Sequence, residues 1–399
     1  MVSGITGIVA VVAVAGALFA LSRPGDGPAF VVASGVRARC AGAQPSYSSD
    51  SLGAIAVGPD KALWFAEPSS DSDKVGRLTT AGRLSEYCLP ASESISDLAA
   101  GPDGAIWAMT DDYQIERVTP TGKVSAFRLL PWVDASGQSL GIGPGRTLWA
   151  TTAWAASVRT TTGWVTGEVG NIFRLGLNGA GEDPEPSWTP MTPAPPRDAR
   201  VGYVHASGPF VVGPDGALWF TGYIEIPEDP ARYKSEYDIG IVARETGAGK
   251  ARFYEFGYLS IPGAIVVGPD RALWFVSEGQ EGSAWSIGRI TTAGARSSFA
   301  LPPLPGDAGR PAPASLVAAP DGAIWFVSGF YAGRIDMAGH VSYRRVVARD
   351  GFADGTYHRH SIVLGPDGAL WATMSGGKVA RIGLDGATTE YGIDPRAQP

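Results

Sequence analysis

The sequence predicts an all-β chain, a seven-bladed β-propeller of four-stranded antiparallel blades preceded by an N-terminal hydrophobic leader. Three observations carry this. An eight-residue phrase recurs seven times: GPDKALWF (58–65), GPDGAIWA (101–108), GPGRTLWA (143–150), GPDGALWF (213–220), GPDRALWF (268–275), APDGAIWF (319–326) and GPDGALWA (365–372). Its start-to-start spacings are 43, 42, 70, 55, 51 and 46 residues, a period suited to blades of short strands and turns. A second phrase follows most copies, as in KVGRLTTAGRLSEY (74–87) and SIGRITTAGARSSF (286–299), and helical periodicity is nearly absent.

Along the chain, residues 1–22 come first and carry no charged side chain. Ile5 to Leu21 is an almost continuous apolar run, read as a signal peptide or membrane anchor. It is slightly short for a span of ~20 residues, and it lacks the Lys or Arg that usually opens a secretory signal. Residues 23–49 are expected to form a tether, with a closing strand near 29–36, and the propeller is expected over 50–393. Arg23, Arg37 and Arg39 follow the apolar run and by the positive-inside tendency would keep the rest cytoplasmic. Cys40 and Cys88 argue the other way if they pair, since disulfides persist outside the cytosol; the alternative is two separate thiols. The expectation adopted is an extracellular, periplasmic or outward-facing membrane-anchored monomer, touching membrane only through its N-terminal segment.

Each blade parses in the same way. Strand a is an apolar run such as Ala54–Val57. Pro-Asp-Gly makes the a–b turn, because Pro presets its backbone angle and Gly accepts a positive one. Strand b is the Leu-Trp-Phe run, strand c the Ile-Gly-Arg-Ile run, and a Thr-Ala-Gly type turn leads into strand d, such as Leu84–Tyr87. Trp64, Trp107, Trp149, Trp219, Trp274, Trp325 and Trp371 share one strand-b position, so they are expected to pack blade against blade. The spacing of 70 residues contains no further turn of this kind and reads as one blade with large inserts.

Composition excludes several classes. With 44% hydrophobic and 10% aromatic residues the chain is not disordered. Its glycines have no three-residue period, and two cysteines cannot staple a miniprotein. A net charge of −7 leaves no global footprint for nucleic acid.

Antiparallel alternation puts the short a–b and c–d turns on one face and the b–c and d–a loops on the other. The irregular length falls in the latter: 151–170, 178–208, 222–238, 276–285, 300–314 and 345–360. Binding residues tend to sit on variable loops of a rigid scaffold, so the ligand face is expected there, at the mouth of the central channel. His205, His358 and His360 map to that face; His340 follows a c–d turn. With His205, the candidate ligand-binding residues are Trp154, Trp164, Tyr223, Trp285, Tyr331 and Tyr357. These aromatics could equally pack long loops down. His358 and His360 could reach one ligand together, because alternate residues of an extended segment point the same way.

The GPDGxLWF and IGRITTxG phrases, with Glu86-Tyr87-Cys88-Leu89-Pro90 following, resemble the streptogramin B lyase family, also called virginiamycin B lyase, over residues 50–393. The resemblance implies a seven-bladed propeller. It also implies magnesium-dependent opening of a cyclic depsipeptide by elimination at its ester, with a base for the proton beside the ester carbonyl and a cation to polarise that carbonyl. The family's histidines stand five residues before the turn glycine in two successive late blades. That position holds Gly53, Ser96, Gln138, Gly208, Gly263, Ala314 and His360. Only His360 matches. His358 stands where the family has a glutamate, and Ser375 where another ends strand b. Glu67 and Glu278 lie at or beside the family's strand-b glutamate position in the first and fifth blades and are candidate metal ligands.

No phosphate loop, zinc spacing or Gly-x-Ser-x-Gly elbow is present. The acidic run Glu225, Glu228, Asp229, Glu236, Asp238 lacks the order of a calcium loop. Two functions remain. One is an exported or tethered binding propeller for a small cyclic ester, peptide or envelope component. The other is a magnesium-dependent carbon–oxygen lyase or lactone hydrolase with His360, helped by His358, as the acid–base group.

Overall fold

A computed structural model describes residues 29–32, 34–36, 52–67, 73–89, 95–110, 114–128, 135–159, 164–178, 185–190, 204–205, 208–229, 234–246, 251–258, 262–278, 284–306, 309–347, 351–352 and 361–393. They form seven antiparallel sheets of four consecutive strands, one per repeat, and among them there is no α-helix. Blade 1 runs Ile55–Val57, Leu63–Glu67, Lys74–Leu78 and Arg83–Cys88; blade 7 runs Ile362–Leu364, Leu370–Met374, Lys378–Ile382 and Thr388–Gly392.

The recurring phrase builds a hydrogen-bonded triad. In blade 1 the turn carboxylate of Asp60 accepts the Trp64 indole N–H at 3.0 Å through Oδ1 and the Arg77 Nε–H at 2.5 Å through Oδ2. Asp103, Asp215, Asp270, Asp321 and Asp367 repeat this with Trp107 and Arg117, Trp219 and Arg244, Trp274 and Arg289, Trp325 and Arg334, and Trp371 and Arg381. Burial by itself would raise these carboxyls. The bonds from Trp and Arg outweigh it and hold Asp60, Asp215, Asp270, Asp321 and Asp367 below the usual 3.8.

The first glycine of the phrase makes room for the indole. A Cβ on Gly58, Gly101, Gly213, Gly268 or Gly365 would come within 2.3–2.5 Å of the Trp ring. Blade 6 has Ala319 there, and its indole is displaced: Trp325 meets both oxygens of Asp321 at 3.2 Å and is 6% exposed. Blade 3 has Gly145 in place of Asp. Trp149 turns instead to Thr147 Oγ1 at 2.8 Å and is 5% exposed. The five tryptophans of unaltered copies are 0% exposed.

Each tryptophan packs across a seam into the next blade. Trp64 lies with Leu98, Ile106 and Val118 of blade 2, and Trp107 with Leu140, Leu148 and Leu175 of blade 3. The series ends with Trp371, which joins Ile55, Leu63 and Leu78 of blade 1 and closes the ring. In blades 1, 5 and 6 the strand-b phenylalanine packs against a strand-c glycine, where a Cβ would meet the ring at 2.2–2.4 Å. Blade 3 exchanges the roles, with Phe173 on strand c opposite Ala150.

The N-terminal segment closes the ring by hydrogen bonds as well. Ala29–Val32 pairs parallel with Thr389–Gly392 at the edge of blade 7, and Ser34–Val36 pairs parallel with Arg83–Ser85 at the edge of blade 1. It is therefore a fifth strand on both blades; each blade already has its own four.

Two expected loops prove to be strands. Residues 147–159 and 164–178 form one long hairpin in blade 3, and 218–229 and 234–245 another in blade 4. The b–c inserts at 151–170 and 222–238 thus continue the sheet ladder as ribbons, which satisfies their backbone groups without loop structure. The expected loop 178–208 contains the fourth strand of blade 3, Glu185–Pro190.

Two outcomes are expected. Because the triad aspartates are held below 3.8, their stabilisation is complete above that value and is lost as pH falls through their lowered folded values. Denaturant titrations should therefore show a steep loss of stability on acidification below about pH 4, the range where unfolded aspartates titrate. Lys61 and Arg271 hold φ of 60° and 61° where four other copies have glycine. Lys61→Gly should raise stability by about 1 kcal/mol, read as a shift in denaturation midpoint.

Candidate functional site at the channel mouth

The inner ends of strands a and b meet at the b–c/d–a face. Blade is joined to blade there by buried polar bonds. Asp97, fully buried, accepts from the Leu98 N–H at 2.8 Å and reaches into blade 3, taking the Ser139 hydroxyl at 3.0 Å and the Leu140 N–H at 2.8 Å. Thr151 donates to the Gly208 carbonyl at 3.3 Å and Thr221 to the Gly263 carbonyl at 2.8 Å, each in the following blade.

Blade 7 breaks this pattern. Thr373 occupies the same strand-b position as Thr151 and Thr221, and its backbone N–H donates to the Ser361 carbonyl at 3.1 Å. Both side chains are 0% exposed, and neither hydroxyl meets a partner among the described residues. A buried hydroxyl without a partner costs stability. Ser361 immediately follows His360 in the chain, and sequence inspection does not find the pair, because Thr373 looks like the other two threonines.

The candidate residues separate. His205 is buried and stacks on Tyr223, ring centroids 4.3 Å apart at 8°, on a short strand paired to the edge of the blade 4 ribbon. Tyr331 donates to the Pro305 carbonyl at 3.0 Å, pinning the loop between blades 5 and 6. Trp285 packs against the core of the same seam, and its carbonyl accepts the Leu301 N–H at 2.9 Å. These two anchor loops. Trp154 pairs with Ala135 and Val169 in the blade 3 ribbon, and Trp164 pairs with Arg159 there. Tyr357, His358 and His360 lie outside the described residues.

Of the carboxylates, Glu67 ends strand b of blade 1 with Oε1 over Gly76, where a Cβ would stand 2.3 Å from it. Glu278 is exposed and follows strand b of blade 5. Cys88 is disulfide-bonded; Cys40, the other cysteine of the chain, lies outside the described residues.

The model of the virginiamycin B lyase family matches residues 39–181 and 212–399, reaching strands of every blade. The chain belongs to the virginiamycin B lyase family. It is similar to the crystal structure of a catalytically inactive histidine-to-alanine variant of virginiamycin B lyase from Staphylococcus aureus with Quinupristin. That similarity has a TM-score of 0.57 at 20% identity, covering 84% of this chain and 95% of that one. Selenomethionine-substituted virginiamycin B lyase from the same organism gives 0.54 at 20% identity, over 82% and 95%. At this identity the likeness shows the fold. Among curated proteins none matches.

A virginiamycin B lyase fold of this kind implies magnesium, and the described side chains do not fit such a site. No three His, Cys, Asp or Glu among them stand together, and Glu67 and Glu278 belong to blades 1 and 5. Ala314 and Ser375, at two positions of interest, are half-buried and offer no charge; the Ser375 N–H donates to the Gly351 carbonyl at 3.0 Å.

The bond at Cys88 gives a direct prediction. A non-reducing digest should yield one linked pair of peptides carrying Cys40 and Cys88. Cys88→Ser should lower stability by about 2–4 kcal/mol, the usual range for a closed loop of this size.

Proposed function

We propose that this member of the virginiamycin B lyase family is a binding propeller, exported or tethered, that holds a small cyclic ester, a peptide or an envelope component at the mouth of its channel. The observation that carries the reading is the pair of buried, unpartnered hydroxyls at Ser361 and Thr373. Two donors with no acceptor suit a ligand rich in ester or amide carbonyls. Support comes also from Ala314 and Ser375, uncharged where the lyases of the family place a histidine and a glutamate.

The second reading is a carbon–oxygen lyase or lactone hydrolase, favoured by family membership and by His360. In that case His360 would take the proton beside the ester carbonyl, and Ser361 and Thr373 would hold the carbonyl oxygen.

Chromatography with mass detection separates the two. A streptogramin B-type depsipeptide incubated with the chain, with magnesium and then with chelator, should be bound and returned unchanged. A shifted peak of unchanged mass, lost with chelator, would establish elimination. A product heavier by one water would establish hydrolysis, and in either case His360→Ala should abolish it. Thr373→Val tests the carrying observation. It should weaken depsipeptide binding roughly tenfold, the worth of one good hydrogen bond, while stability holds or rises because an unpartnered hydroxyl is removed. Lower stability with unchanged binding would assign Thr373 a purely structural role.

A further inference from the structure

The face opposite the mouth carries its own signal. We propose that the face of a–b and c–d turns sits against the anionic headgroups of the bilayer that holds the chain's own apolar N-terminal run, so that the mouth points away from the membrane. This rests on reading residues 1–22 as a membrane anchor and adds an orientation and a docking surface to it.

The first argument is where the chain enters the fold. Ala29 pairs with Thr389, at the start of strand d of blade 7, just past the c–d turn at 383–387. Because the pairing is parallel, Ala29–Val32 runs from the turn face toward the mouth face. The chain therefore reaches the fold from the turn face. Only residues 22–28 separate Ala29 from the apolar run, a reach of at most about 25 Å when fully extended.

The second argument is charge. Lys61, Arg83, Arg146, Arg271 and Arg296 are all exposed on a–b or c–d turns, and none forms a salt bridge with a described residue. Arg174 of blade 3 joins them: its six counterparts each hold a turn aspartate, but Gly145 stands there, and Arg174 is exposed. The carboxylates of this face are mostly engaged. Among the described residues six belong to the triads, and Asp336 is paired with His340 Nδ1 at 2.9 Å, leaving Asp385; the c–d turn of blade 3 also carries Glu182 and Asp183, outside the described residues. This cationic face belongs to a chain whose net charge is −7.

The third argument is backbone cost. Lys61, Arg146 and Arg271 hold φ of 60°, 56° and 61° at a position where the other four copies have glycine. A left-handed conformation disfavours any side chain, yet the three departures from glycine are all cations, in alternate blades. An anionic surface contacting the whole ring of turns accounts for their placement.

The test uses the full chain in nanodiscs of phosphatidylcholine alone and of phosphatidylcholine with phosphatidylglycerol. Lysine acetylation is followed by mass spectrometry. Lys61 reports the turn face, and Lys234, in the blade 4 ribbon, reports the opposite side. The expected result is a several-fold slower reaction at Lys61 on the anionic discs, no change at Lys234, and loss of the difference in high salt. Arg146→Glu with Arg271→Glu should remove the protection in low salt. Equal labelling of Lys61 on both discs, with the chain retained on both, overturns the docking surface and leaves the anchor standing. Protection of Lys234 instead of Lys61 overturns the orientation. A chain retained on neither disc overturns the anchor reading and this inference with it.

Discussion

One carboxylate per blade links the two scales of this fold. The turn aspartate accepts the indole N–H from strand b and the guanidinium N–H from strand c, so a single side chain fixes the a–b turn and the b–c pairing together. The indole it orients then packs into the following blade. Local hydrogen bonding thus sets the seam, and the seam sets the ring. The coupling is visible where the phrase varies. Ala319 leaves its indole at 3.2 Å from both aspartate oxygens, and Gly145 leaves Trp149 to a threonine; of the seven strand-b tryptophans these two reach solvent. Both blades keep their packing, because the hydrophobic seam is broad and non-directional whereas the triad is directional.

Closing the ring is a separate problem from repeating the blade. Trp371 makes the last seam like the others, but the edges of blades 7 and 1 are also joined by the segment 29–36. Both of those blades carry a lysine on strand c facing a glutamate on strand d: Lys74 with Glu86 at 3.4 Å and Lys378 with Glu390 at 3.2 Å. Lys378 and Glu390 are almost completely buried. Removing one member would leave an uncompensated buried charge, so these pairs fix the edge strands onto which the clasp adds. Glu390 is itself the register partner of Phe30.

Much of the fold was legible because the physics is local and repeated. Gly-Pro-Asp-Gly specifies a turn from backbone chemistry alone, and seven spaced copies specify a ring. The closing role of 29–36 was legible from its β-forming composition, though not its parallel pairing to two blades at once. The ribbons of blades 3 and 4 were missed because an insert without the repeating phrase reads as loop, while Trp164–Asn178 pairs through its backbone, which leaves no pattern in side-chain type. At the mouth, His205 and Tyr223 were named as candidate ligand-binding residues, and the structure stacks their rings on one another. Trp285 and Tyr331 have contacts that hold loops down, the alternative also in view for these aromatics.

The two faces divide the sequence between them. On the turn face, position after position is consumed by geometry: glycine to admit the indole, aspartate to hold it, arginine to complete the bond. What varies there is charge at the one turn position whose backbone conformation is least tolerant of a side chain. At the mouth the constraint is looser, and single atoms decide. Thr151, Thr221 and Thr373 are the same residue at the same place in their blades. Two of them donate to the next blade and the third donates to no described residue. A repeat enforces identity of scaffold, so the chemistry of such a propeller must reside where one copy departs from its siblings without a structural reason. Blade 7, with two unsatisfied hydroxyls among the described residues, one of them on the residue that follows His360 in the chain, is where that departure is concentrated.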